Sequence, residues 1–132
     1  MIFAPKLICA TAAVATLLAS GSATLAQTQA DQLKIAYQAG RNQLGLMIYC
    51  NDKGHIGTDV VEIQKKLMGM MPPPADKSGG DEAEAQGRKG IFSAMGMSQD
   101  IEAVAKAQSG TPATFCKQVG DAIKQVGAAL PK

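Results

Sequence analysis

From about Asp31 the apolar positions Leu33, Tyr37, Gly40, Leu44 and Met47 recur at steps of four and three, the spacing of a helix that buries one face. Asp31 is the expected N-cap. Asn51-Asp52-Lys53-Gly54 is the expected end, with Gly54 as a left-handed terminator. Gly40 and Gly45 each weaken such a helix by up to about 1 kcal/mol relative to alanine, so they either admit a close helix contact or mark a bend.

A second helix is predicted from Thr58 or Asp59, where Asp59 and Glu62 have the spacing of a capping box and Val60, Ile63, Leu67, Met70 and Met71 make the apolar face. Pro72-Pro73-Pro74 ends it, because proline removes a helix hydrogen bond and clashes with the preceding turn. Residues 72–80 read as a proline- and glycine-rich loop. A third helix is expected from Asp81 to about Ala94, with Gly87 and Gly90 interrupting its pattern and Ile91, Phe92 and Met95 as anchors. Ser98 is the expected N-cap of a fourth helix that turns Ile101, Val104 and Ala105 inward and stops at Ser109-Gly110. Thr111-Pro112 is an N-cap followed by proline at the first helical position, and Phe115, Val119, Ile123, Val126 and Leu130 hold a helical period after it. No segment alternates as a strand would. The prediction is an all-α domain, a small bundle of four to five short helices.

Two further features place that bundle. Met1–Lys6 carries one positive charge, Leu7–Leu18 is apolar, and Ala19–Ala26 is rich in small residues, the anatomy of a secretory leader cleaved after Ala26. The apolar run is shorter than the roughly 20 residues of a membrane span. Residues 1–26 are therefore expected to leave, taking Cys9 with them, and 27–132 to form one domain without a stable membrane span. Cys50 and Cys116 then remain, an even count in an oxidising compartment, which predicts a disulfide joining the first helix to the last. The bond would set those helices side by side and antiparallel. The expected location is the bacterial periplasm or the outside.

Charge narrows the function. Without the leader, twelve basic residues face eleven acidic ones, a balance unlike the clustered basic face of a nucleic-acid binder. His55 is the single histidine and sits in a glycine-flanked turn; no Gly-x-Ser-x-Gly or Cys-x-x-Cys-His is present. Asp81, Glu82 and Glu84 read as acids placed at a helix start rather than as paired catalytic carboxylates. The expectation is a protein that is not an enzyme.

Methionine is the remaining signal. Met68-Gly69-Met70-Met71 and Met95-Gly96-Met97 cluster soft thioethers of the kind that select Cu(I), so Met68, Met70, Met71, Met95 and Met97 are a candidate metal set. The same side chains are adaptable fillers of cores and of surfaces that fit several partners, which makes Met70, Met71, Pro72, Pro73 and Pro74 a candidate binding surface.

With leader, helical pattern and two cysteines assembled, the chain resembles in outline the HdeA-type acid-stress chaperones of bacterial envelopes, small exported helical proteins with one disulfide. The likeness covers the Cys50 and Cys116 helices and the size, without a specific motif; it departs in wider cysteine spacing, lower charge density and the glycine- and proline-rich middle from Pro72 to Gly90. It implies apolar surface exposed on acidification, and no residue role is carried over. The leading expectation is a non-enzymatic envelope protein that binds other proteins, as a stress chaperone does. A Cu(I)-binding envelope protein and an inhibitor or immunity protein against an envelope toxin are the alternatives.

Overall fold

The computed structural model describes residues 21–132; most of the expected leader, Cys9 included, lies outside the described residues. Helix α1 (Gly21–Asp52) is the axis. Helices α2 (Thr58–Met70) and α3 (Ser78–Gly87) follow, then strands β1 (Ile91–Ala94) and β2 (Met97–Asp100), then helices α4 (Ile101–Ala107) and α5 (Pro112–Ala128). No helix among the described residues is long and apolar enough to cross a membrane.

Asp31 is not an N-cap. It lies inside α1, which is continuous from Gly21 because no glycine or proline interrupts residues 22–39. Near its other end Cys50 is fully buried and bonded to Cys116 in α5, with 5.6 Å between their Cα atoms. Leu44, Leu46, Met47, Val60, Val61, Ile101 and Ile123 surround that bond as the core.

Both α2 and α5 run antiparallel to α1. Met68 and Gln64 lie over Gly40, where an added Cβ would strike the Met68 thioether. Gly120 of α5 lies against Ile56 and Val60, and Gly127 against Ile63. Sitting between two partners, α2 buries Val60, Val61 and Gln64, and Met70 falls on the solvent side rather than the expected inner face. The expected Asp59–Glu62 capping box is also absent. Gly57 is the N-cap, Asp59 pairs with Lys124 of α5 at 3.1 Å, and Glu62 pairs with Lys65 at 2.8 Å. The start and the proline-enforced end of α2 are where the sequence places them.

On the opposite face α3 runs parallel to α1 along a seam of missing side chains. A Cβ on Gly45 would overlap the Glu84 carbonyl, and one on Gly87 would overlap the Asn42 carbonyl and lie 2.8 Å from Leu46 N. Backbone therefore meets backbone, and Gly40 and Gly45 serve close contacts. At the seam's edge Arg41 donates to Glu84 Oε2 at 2.7 Å and pairs with Asp81 at 2.9 Å, while Arg88 donates to Glu84 Oε1 at 2.8 Å.

Glu84 has only 13% of its side chain exposed. Burial alone would raise its pKa, but the hydrogen bonds from Arg88 and Arg41 outweigh it and hold the carboxyl below its ordinary 4.5. A carboxyl depressed in the fold stabilises above its unfolded value and loses that contribution as pH falls through the folded one. Stability should thus decline below about pH 4.5. Glu84→Gln should cost about 1–2 kcal/mol at neutral pH and flatten that decline, as read by urea midpoints across pH. An unchanged acid profile in the variant would remove the seam from the cause.

The expected third helix does not reach Ala94, and the molecule is not all-α. After Gly87 the chain leaves the seam through Gly90, which has a left-handed φ of 80° and where an added Cβ would come within 3.1 Å of the Tyr49 ring, and continues extended. Strands β1 and β2 pair antiparallel, Ile91 opposite Asp100 and Ala94 opposite Met97. The two-residue turn Met95-Gly96 has φ of 52° and 77°, the positive values that a tight hairpin needs. Ser98 is therefore a strand residue, and the N-cap of α4 is Asp100, which accepts from the Glu102 N–H at 2.8 Å. Helix α5 begins where expected, with Thr111 and Thr114 in a reciprocal capping box.

Asn42, 1% exposed, ties the layers together. Its Nδ2 donates to the carbonyls of Ala83 and Ile91, both at 2.9 Å, and its Oδ1 accepts from the Ser93 N–H at 2.9 Å. One side chain thereby joins α1 to α3 and occupies the outer edge of β1.

Candidate functional site

Three helices turn helically spaced stripes toward one open groove of about 620 Å³. From α1 come Ala36, Ala39, Gly40, Gln43, Leu46 and Met47, and from α2 Gln64, Leu67 and Met68, with Met71 just past its end. From α5 come Phe115, Val119, Ala122, Ile123 and Val126. Each set steps by three or four residues, which places it on one face of its helix. The fourth side is closed by Phe92, Ser93 and Ala94 of the hairpin.

Among the described residues no charged side chain lines this groove. Its polar side chains are Gln43, Gln64 and Ser93, and the Gln64 amide already donates to the Gly40 carbonyl at 3.4 Å. Among the described residues no buried side-chain nitrogen or oxygen lacks a hydrogen-bond partner. The volume is within the ~300–1,000 Å³ of ligand clefts, whose walls are characteristically apolar with a few polar groups. What such walls do is desolvate an apolar surface.

A second cleft of about 810 Å³ lies across the hairpin, meeting the first at Ala39, Ser93 and Ala94. Ile35, Met95 and Met97 line it beside Glu82 and Gln86, so it is more polar.

The five methionines occupy three settings. Met68 and Met71 converge over Gly40 in the groove wall, Met95 in the hairpin turn and Met97 directly after it are 84% and 68% exposed, and Met70 projects to solvent at 58%. Of the surface read around the prolines, Met71 reaches the groove, whereas Pro72 and Pro73 are exposed and Pro74 is half-buried in the loop. Cys50 and Cys116 are spent in the disulfide. Asp81 and Glu84 are engaged by Arg41. His55 is half-buried, its backbone N–H bonded to the Cys50 carbonyl at 2.9 Å; among the described residues no serine, threonine or thiol lines the small cleft it shares with Lys117, Asp121 and Lys124. Among the described residues no three His, Cys, Asp or Glu side chains are placed to hold a metal ion.

The helical period of Phe115, Val119, Ile123 and Val126 is visible in the sequence, whereas Phe92, expected as an anchor of the third helix, and Ala122 carry no local sign of a groove. Val126 is 53% exposed and lines the open groove. The chain matches no protein-family model, and comparison with curated proteins and with solved structures found no match.

Proposed function

We propose that this chain is a non-enzymatic exported protein of the bacterial envelope that binds apolar segments of other proteins, as a stress chaperone does, in the groove between α1, α2 and α5. One observation carries the reading: an open groove of about 620 Å³, without a charged wall, bordered by the flexible thioethers of Met68 and Met71. Thioether side chains repack around different partners at little cost, which suits capture without sequence specificity. The leader pattern and the Cys50–Cys116 bond support export to an oxidising compartment.

The test is suppression of light scattering, without reductant, from a thermally aggregating client at neutral pH and from an acid-unfolding client near pH 2–3. The parent protein should suppress aggregation. Phe92→Ser with Val126→Ser, two partly exposed groove positions, should lose roughly fivefold in capacity with an unchanged fold, since each removes apolar contact area. A parent inactive at both pH values, or a double variant as active as the parent, sinks the proposal.

A further inference from the structure

We infer that the occupant of the groove is one amphipathic α-helix of a partner protein, seated where a fourth bundle helix would lie; the inference rests on the protein-binding reading above. Helices in a bundle aim stripes spaced by three and four residues at their neighbours. Here α1, α2 and α5 aim three such stripes at a common space, and no helix among the described residues fills it. Helix α3, which could have done so, is locked by its glycines to the other face of α1.

Hydrogen bonding separates a helix from an extended segment. Buried backbone N–H and C=O groups must be paired. The groove offers the side chains of Gln43, Gln64 and Ser93 for that purpose, and Gln64 is already engaged. Strand addition would need a free strand edge, but on β1 the outward Ile91 carbonyl and Ser93 N–H are held by Asn42. An extended peptide would therefore bury unpaired backbone, whereas a helix satisfies its own. The walls also define the occupant's chemistry. A charge on its inner stripe would be desolvated against uncharged residues, so the stripe is apolar at i, i+3 or i+4, and i+7 and the charges lie on the outer face.

The experiment uses the purified chain and a panel of fluorescein-labelled peptides of about fifteen residues, roughly four turns. Each carries Leu, Met or Phe on one helical stripe and Ala, Gln and Lys elsewhere, and each has a counterpart of the same apolar content broken by central proline. Fluorescence anisotropy should show saturable binding of helical members and roughly tenfold weaker binding of their broken counterparts. Ala36→Glu and Ala122→Glu place a charge at exposed groove positions on two different helices. Each should weaken the helical peptides by about tenfold while leaving the melting curve unchanged. Equal binding of broken and intact peptides, weakened alike by the two variants, would overturn the helix and leave the groove reading standing. No binding by any member, or binding indifferent to both variants, would overturn both. A parent that sediments as a dimer and is dissociated by Ala122→Glu would make the occupant a second copy and overturn the partner helix.

Discussion

Replacing Cys50 and Cys116 together by alanine should lower the stability by about 4 kcal/mol, the loop-entropy value for a cross-link closing a segment of this length. The two residues are 66 positions apart and both are fully buried in the core. Against a total of roughly 5–15 kcal/mol for a domain, this is the largest single effect expected in the molecule. For a chain of this size it amounts to roughly 15 °C in Tm. Excess reductant should move the parent by a similar amount, and thiol titration of the oxidised parent should find neither cysteine free. The bond carries this weight because it holds the two ends of the bundle that the helix interfaces join least directly. Helix α5 packs largely on α2, through Gly120 and Gly127, and is tied to α1 at Cys50. A double variant whose urea midpoint hardly moves would show that packing alone fixes α5.

Gly87→Ala should destabilise by about 2–3 kcal/mol, although alanine is the better helix former by about 1 kcal/mol. The new methyl group would overlap the Asn42 carbonyl, and because its neighbours are α1 backbone they cannot turn aside. Moving α3 outward would stretch the hydrogen bonds of Asn42 to Ala83, Ile91 and Ser93, so the hairpin should loosen with it. Gly69→Ala is the matched control: it lies in α2 with no atom within 4 Å of an added Cβ, and should stabilise by up to about 1 kcal/mol. Opposite signs from the same chemical change, read as urea midpoints, would separate packing from propensity. Equal signs would show that the α1–α3 seam yields.

Proline and cysteine signals carry over into the structure, whereas the caps expected at Asp31, Asp59 and Ser98 do not, because a short polar side chain before an apolar run fits a helix interior, an ion pair or a strand equally well. Pro72 ends α2 at Met70, Thr111-Pro112 starts α5, and Cys50 is bonded to Cys116. The hairpin has no such signal. Its strands are four residues long, too short for alternation to register, and its turn is Met-Gly rather than the familiar Asn-Gly. What holds it is Asn42, about fifty residues away, and no local pattern announces that a mid-helix asparagine will pair with a strand edge. The groove was half legible. Its methionines and the α5 stripe stood out, but an apolar stripe reads the same whether a neighbouring helix covers it or not.

A predominantly helical chain with one cross-link is already written in the residues, because prolines and helical periodicity act over a few positions and the cysteine count is small. The tertiary structure decided the parallel glycine seam of α1 and α3, the hairpin pinned by Asn42, and the division of the methionines between the groove wall, the hairpin turn and solvent. Those are contacts between distant residues, and which face of a helix meets which neighbour is settled by backbone approach and by pairing of buried polar groups rather than by local pattern.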